Sequence, residues 1–113
     1  MELKNNYALY IPSTIKGEHI SDARHAEWCE KYVKIMLENF FGLTVSAAFG
    51  YWKSESGNII AEKVYIIKAS TNAEFFEPNY TPEEYIRIVA ERLKSDMGQE
   101  AVSYEINGVL HII

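Results

Sequence analysis

The feature that most constrains the fold is a polar turn, SESGN at 54–58, between two long segments rich in apolar and β-branched residues. The flanking segments read LTVSAAFGYWK (43–53) and NIIAEKVYIIKAS (58–70). Such segments favour strands, and a three-residue loop that ends in a left-handed Gly57 would join them as a hairpin. In that hairpin Ser54 pairs with Asn58, and this pair fixes the register of both strands.

This register sorts the hairpin side chains into two faces, because side chains alternate along a strand. The bulkier and more apolar face, which we expect to contact helices, has Leu43, Val45, Ala47, Phe49 and Tyr51 across from Ala69, Ile67, Tyr65, Lys63 and Ala61. The other face is predicted to be open and has Thr44, Ser46, Ala48, Gly50 and Trp52 beside Glu62, Val64, Ile66 and Lys68. On the open face Gly50 lies opposite Glu62, and we expect the glycine to leave room for the Glu62 side chain.

Two helices are predicted, one on each side of this hairpin. The first starts at Ser21 or Asp22 and ends at Gly42, and its apolar stripe is Trp28/Cys29, Tyr32/Val33, Met36/Leu37 and Phe40/Phe41. The second starts at TPEE (81–84), where threonine is the cap and proline the first helical residue. Its buried stripe is Ile86, Val89, Ala90, Leu93 and Met97, and Gly98 ends it.

Three further strands complete the predicted fold. YALYI (7–11) is an aromatic-rich strand, and QEAVSYEI (99–106) and VLHII (109–113) flank Asn107-Gly108, a strong hairpin signal. The order β-α-β-β-α-β-β predicts a ferredoxin-like α+β domain, with two helices on one face of an antiparallel sheet and an extra edge strand. In the loop at 71–80 we expect Phe75 and Phe76 to plug the core; a lid over a site is the alternative.

Length and composition limit the functional classes. At 113 residues the chain is large enough for one domain, which we place at 1–113. The net charge of -5 argues against nucleic-acid binding. The sequence contains no run of about eighteen apolar residues, so we predict no membrane span, and we expect no secretion signal. Cys29 is the single cysteine, which excludes an internal disulfide and favours a cytoplasmic setting.

Metal and thiol chemistry have little support in the sequence. His25 and Cys29 are four residues apart on the first predicted helix, a spacing that would place two ligands on one zinc ion. Two ligands do not form a site, and Cys29 lies in the apolar stripe, where a cysteine usually acts as a small hydrophobic residue. We therefore predict no metal site and no cofactor, and nothing in the sequence orients His25 as a base for Cys29.

Glu62 is the strongest candidate for a functional group. A carboxylate on an apolar and aromatic floor suits ligand binding or proton transfer. The structural alternative is a solvated edge carboxylate or a partner of Lys68 or Arg24. We predict a ligand-binding face formed by Gly50, Trp52, Glu62, Ser46 and Lys68. Gln99 and Glu100, which precede the last two strands, are interpreted as local hydrogen-bonding structure.

Several of these residues also occur together in a known family. Gly-x-Trp, a short turn and a strand with a lone glutamate are typical of a family of small bacterial, phage and plasmid domains of unknown function. Here GLTV is at 42–45, GYW at 50–52, the glutamate is Glu62, and QEAV, at 99–102, resembles the start of the family's last strand. Trp28 takes the place of the tryptophan of the family's first helix. Over most of its length the chain resembles this family, which implies the ferredoxin-like fold and little about activity. The Asn-Gly hairpin that ends in LHII resembles the mobile-element members more than the chromosomal ones.

Three functions remain open at this stage. The first is a non-catalytic binding module, a homodimer or larger oligomer, that acts as a counter-defence factor by sequestering a small signalling ligand or blocking a host protein through its open face. The second is a small dimeric α+β-barrel enzyme with Glu62 as general acid or base. The third, RNA binding on the open sheet, ranks last because Trp52 is the only aromatic residue on that face of the hairpin and the charge is negative.

Overall fold

In a computed structural model the chain is described over residues 1–76 and 79–113, so the part of the predicted loop at 77 and 78 lies outside the described residues. The elements are β1 (Asn5–Ile11), β2 (Thr14–Ile15), β3 (Glu18–His19), α1 (Asp22–Leu37), β4 (Leu43–Lys53), β5 (Ile59–Thr71), α2 (Pro82–Asp96), β6 (Ser103–Ile106) and β7 (Val109–Ile112). The predicted order is confirmed, with one addition. The segment between β1 and α1 folds into the short hairpin β2–β3.

The main sheet is antiparallel and has the strand order β4-β5-β1-β6-β7. Both helices pack on one face of it, so the predicted α+β class is confirmed. The four strands β4, β5, β1 and β6 are arranged as in a ferredoxin-like sheet, and β7 adds the extra edge strand. Asn107 and Gly108 join β6 to β7 with φ angles of 49° and 80°, which is the left-handed turn that the Asn-Gly pair predicts.

The predicted register of the β4–β5 hairpin is confirmed. The Ser54 amide donates to the Asn58 carbonyl oxygen over 2.8 Å, and Gly57 has a left-handed φ of 88°. Gly50 therefore lies opposite Glu62. The two faces of the hairpin are those that the sequence predicts, because every cross-strand pair follows from this turn.

The core lies between the helices and the central strands. Its buried residues on the sheet include Tyr7, Leu9, Ile11, Ile67, Ala69 and Tyr104. The stripe predicted for α2 is buried in full, from Ile86 to Met97. Phe76 plugs the core as predicted, with its ring edge-on to Phe40 at a centroid distance of 4.8 Å. Phe75 does not share this role, since its side chain is exposed.

The helices do not cover the outer half of the β4–β5 hairpin. Phe49 and Tyr51 are on the helix side of the sheet, as predicted, but they are 64% and 70% exposed. The reason is length. A helix of 16 residues spans about 24 Å, whereas a strand of 13 residues spans about 43 Å. The hairpin therefore extends beyond both helices and leaves apolar side chains uncovered near its turn.

The first helix ends earlier than its apolar stripe predicts. Ser21 caps α1, but the helix stops at Leu37 with Glu38 as the C-cap, so the expected stop at Gly42 is wrong. The chain turns there because the Phe40 amide donates to the Met36 carbonyl and the Phe40 ring enters the core, which leaves Phe41 fully exposed. None of the described helices is long and apolar enough to cross a membrane.

Gly98 and Gly42 offer a matched test of these helix ends. Gly98 has a φ of 58°, and a Cβ placed on it would lie 2.7 Å from Cγ of Lys16. A Cβ on Gly42 meets no atom within 4 Å, and its φ is not left-handed. We expect Gly98→Ala to lower the free energy of unfolding by at least about 1 kcal/mol and Gly42→Ala to change it by less than about 0.5 kcal/mol. Urea unfolding measures both, and equal losses would contradict the assigned ends.

Candidate functional site

Two adjoining clefts lie on the open face of the sheet, at the end nearest the β4–β5 turn. Their volumes are about 330 and 540 Å³. Four of the described residues line both clefts: Trp52, Glu62, Gln99 and Ala101. We call the pair the joined clefts. Gly50 also lines the smaller one, so three of the five predicted site residues meet here.

The two clefts differ in polarity. The smaller, apolar cleft is also lined by Tyr10, Pro12, Ala48, Phe49, Gly50, Val64, Ile66, Val102 and Ser103. The larger, polar cleft is also lined by Thr14, Lys16, Gly17, His19, Ile60, Gly98 and Glu100. Glu62 and Trp52 lie at the junction of the apolar and the polar cleft. The arrangement suits a ligand with an apolar or aromatic part and a charged, polar part.

The Glu62 carboxylate is held from the side of β1. The backbone amide of Ser13 donates to Oε1 of Glu62 over 3.1 Å, and the Ser13 hydroxyl lies 3.5 Å from the same oxygen. Among the described residues no cation forms a salt bridge with Glu62 and none donates to Oε2. The alternative of a pairing with Lys68 or Arg24 is therefore not present. One carboxylate oxygen is fixed, and the other is available to a ligand.

The role predicted for Gly50 is wrong. The glycine does face Glu62, but the Glu62 side chain turns towards the Ser13 amide, on the opposite side of β5 from β4. A Cβ placed on Gly50 would meet only the backbone oxygen of Glu62, at an ordinary contact distance of 3.9 Å. A backbone N–H is a strong donor for a carboxylate, and it draws the side chain away from the gap. Gly50 instead forms part of the floor of the apolar cleft.

Gln99 links the end of α2 to the β2–β3 hairpin. The predicted strand from Gln99 begins only at Ser103, so Gln99 lies in the connection after the helix. Its side-chain amide donates to the carbonyl oxygens of Thr14 over 2.6 Å and of Met97 over 3.2 Å. The interpretation of Gln99 as local structure therefore misses a contact between distant parts of the chain. The one signal in the sequence is a polar residue directly after the helix-ending Gly98.

Tyr10 presents its ring to the apolar cleft and its hydroxyl to β6. The hydroxyl donates to Oε2 of Glu105 over 2.8 Å. Burial, together with this hydrogen bond, raises the pKa of Tyr10 to about 12. The phenol therefore stays protonated at neutral pH, and the cleft meets its ring rather than a phenolate.

Lys68 and Ser46 lie outside the joined clefts. Lys68 is opposite Thr44 and lines a separate depression of about 600 Å³, which Glu105 also lines. Ser46, opposite Ile66, lines neither the joined clefts nor this depression. The structure thus divides the predicted set, with Gly50, Trp52 and Glu62 together and Lys68 apart. The division arises because the open face is longer than one cleft.

His25 and Cys29 are part of the core. The imidazole Nε2 of His25 donates to the Ile11 carbonyl over 3.0 Å, and its ring lies 4.4 Å from that of Tyr65. Burial raises the pKa of the Cys29 thiol to about 11, so the thiol is protonated at neutral pH and a poor nucleophile. Over residues 1–76 and 79–113 no group of three or more His, Cys, Asp or Glu side chains is placed to hold a metal ion.

The fold is similar to that of two solved structures. A phage SAM lyase in complex with S-methyl-5'-thioadenosine has a TM-score of 0.61 and 14% identity, over 96% of this chain and 88% of that chain. A phage SAM lyase in the apo state has a TM-score of 0.61 and 12% identity, over 100% of this chain and 94% of that one. At these identities the likeness establishes a shared fold.

Comparisons of sequence add no relative. No family model and no curated protein matches the chain. The resemblance to the small phage and plasmid domains therefore stays a prediction.

Proposed function

We propose that this protein binds S-adenosylmethionine in the joined clefts and cleaves it as a lyase, with S-methyl-5'-thioadenosine as one product. The observation that carries the proposal is the position of Glu62, a carboxylate with one uncommitted oxygen, between an apolar and a polar cleft and beside Trp52. The two similar structures are of phage SAM lyase, one of them with S-methyl-5'-thioadenosine bound, which supports this choice of ligand. This proposal follows the alternative of a small enzyme, but Glu62 binds and orients the ligand instead of acting as a general acid or base.

The chemistry of S-adenosylmethionine matches the joined clefts. The ligand has a flat adenine, a positively charged sulfonium sulfur and a zwitterionic amino-acid end. Trp52, which is 48% exposed, offers an indole face for stacking or for a cation. Glu62 offers a negative charge to the sulfonium, and Lys16 and Glu100 in the polar cleft offer opposite charges to the amino-acid end. The apolar cleft suits the thioether and ribose parts.

The cleavage needs few groups from the protein. Release of S-methyl-5'-thioadenosine breaks the bond between sulfur and the amino-acid chain, and the electron pair of that bond goes to sulfur, which becomes neutral. When no water takes part, an oxygen of the ligand's own carboxylate forms a bond to the carbon that loses sulfur, and this bond closes a ring. A positive and a negative charge disappear together, so apolar surroundings such as Val64 and Ile66 favour the transition state over the charged ligand.

Glu62 acts in this scheme on binding and orientation rather than on proton transfer. The sulfonium charge is strongest in the bound ligand and fades as the bond breaks, so a nearby carboxylate stabilises the ligand more than the transition state. We therefore expect Glu62 to select the cationic substrate over the neutral product. This selection also helps the product to leave.

Two biological roles are compatible with this chemistry. A phage or mobile-element protein that removes S-adenosylmethionine in the host cytoplasm would deprive host methyl-transfer enzymes of their donor, which is a counter-defence role. The second candidate is sequestration without cleavage, which the same clefts would serve. Incubation of S-adenosylmethionine with and without the purified protein, followed by mass spectrometry, separates the two: S-methyl-5'-thioadenosine forms faster than in the protein-free control only if the protein cleaves the ligand.

We also propose that the protein is a homo-oligomer. The uncovered end of the β4–β5 hairpin exposes Phe49 and Tyr51 on one face and Trp52 on the other. Phe49 and Tyr51 are neighbours on the same face of β4, and monomers seldom leave large apolar patches exposed. Light scattering at tens of micromolar, an order of magnitude typical for such interfaces, should give a mass above that of one chain. Phe49→Ser should lower that mass, and a monomeric wild type would contradict the proposal.

The proposed role of Glu62 predicts a charge-dependent effect on ligand binding. An aza analogue of S-adenosylmethionine, with a protonated nitrogen in place of the sulfonium sulfur, is cationic and is not cleaved. Glu62→Gln keeps the acceptor for the Ser13 amide and removes the charge. It should weaken binding of the analogue about fivefold to tenfold and change binding of neutral S-methyl-5'-thioadenosine by less than about twofold. Isothermal titration calorimetry measures both affinities.

Two further variants control this experiment. Trp52→Ala should weaken both ligands, because it removes a surface that stacks irrespective of charge. Phe41→Ala, which removes a fully exposed aromatic ring that lines neither of the joined clefts, should weaken neither. Equal losses for the two ligands in Glu62→Gln would assign Glu62 a structural role, and absence of binding by the wild type would overturn the proposed function.

A further inference from the structure

We infer that Gln99 is a positioning residue for Glu62, and that it acts through the segment at 12–17 rather than by contact with the ligand. The inference rests on the proposed function for its effect on cleavage. Gln99 lines both clefts, and its side-chain amide is engaged with two carbonyl oxygens, of Thr14 and Met97. Three contacts lead from this side chain to the carboxylate.

The first contact joins α2 to the segment at 12–17. Besides the Gln99 hydrogen bonds, the Lys16 amide donates to the Met97 carbonyl over 3.1 Å. Gly98 packs so closely on Lys16 that a Cβ at 98 would lie 2.7 Å from Cγ of that side chain. The end of the helix thus holds the β2–β3 hairpin at a backbone and a side-chain contact. Of the hydrogen bonds between these two segments in the described part of the chain, those of Gln99 reach Thr14.

The second contact lies within the hairpin. Ser13 precedes Thr14, is buried, and accepts at its carbonyl oxygen from the Ile20 amide over 3.0 Å. Because Ser13 and Thr14 are adjacent in the chain, a shift of the Thr14 carbonyl also moves the Ser13 backbone.

The third contact is the one that orients the carboxylate. The Ser13 amide donates to Oε1 of Glu62, and no described residue donates to Oε2. With one oxygen fixed, the carboxylate keeps its place at the junction of the clefts, which Glu62 lines on both sides. Loss of the Gln99 donor leaves the Thr14 carbonyl without its 2.6 Å partner, and we expect the Ser13 amide to be held less firmly although the Ile20 amide still bonds the Ser13 carbonyl. A displaced carboxylate interacts less strongly with the sulfonium of the bound ligand.

The test is a double-mutant cycle on S-adenosylmethionine cleavage. Gln99→Met keeps the length of the side chain and removes its donor and acceptor, and we expect it to lower kcat/KM about threefold to fivefold, less than the full loss of the Glu62 charge costs in binding. In the Glu62→Ala background the same change should have less than about a twofold further effect, because the group that it positions is gone. If the two losses multiply, Gln99 acts independently of Glu62, through the ligand or through the fold, and the inference is overturned.

Amide hydrogen exchange tests the inference without any activity. Gln99→Met should raise the exchange rate of the Ser13 amide at least about tenfold, while that of the Tyr104 amide in β6 stays within about twofold. An unchanged Ser13 rate, or an equal rise at both amides, would overturn the positioning role. If Ser13 responds as expected but the wild type neither binds nor cleaves S-adenosylmethionine, the proposed function fails and the positioning of Glu62 stands.

Discussion

The register of the β4–β5 hairpin is the constraint on which the open face depends. It is set by the Ser54–Asn58 pair and the left-handed Gly57. A slip of one residue between β4 and β5 would place Glu62 and Trp52 on opposite faces of the sheet. One of the two side chains would then lie against the helices. With the observed register, the carboxylate and the indole lie on one face, and the clefts form between them and the end of α2.

A second constraint is the unequal reach of helices and strands. The sheet extends beyond both helices, so the chain has a long outline, 45 Å against 26 and 24 Å. The covered end holds the core, including His25 and Cys29, and the uncovered end holds the clefts and exposed aromatic residues. The same geometry that leaves Phe49 without a helix also places Trp52 where a ligand or a partner can contact it.

Sequence patterns predicted the features that depend on interactions between residues close together in the chain. The hairpin turn, the caps at Ser21 and Thr81 and the Asn-Gly turn each depend on a few adjacent residues, and all four are observed. The end of α1 was mispredicted because Phe40 continues the apolar period of the helix, while its burial is set by Phe76, 36 positions later in the chain. Periodicity carries no information about such a partner.

The details of the site depend on contacts that no local pattern encodes. Ser13 and Glu62 are separated by 49 residues, and Gln99 and Thr14 by 85. The sequence therefore identified Glu62 and Trp52 from their shared face, but it assigned Glu62 the wrong neighbour and missed the role of Gln99. Lys68 was grouped with Glu62 because both are on the open face, and only the shape of that face separates them.

A crystal structure with S-methyl-5'-thioadenosine tests the central claim most directly, because it locates the ligand without relying on turnover. We expect the nucleoside in the joined clefts, with its adenine against Trp52 and its thioether sulfur beside the free oxygen of Glu62. A nucleoside bound in the depression at Lys68, or no nucleoside at saturating concentration, would contradict it.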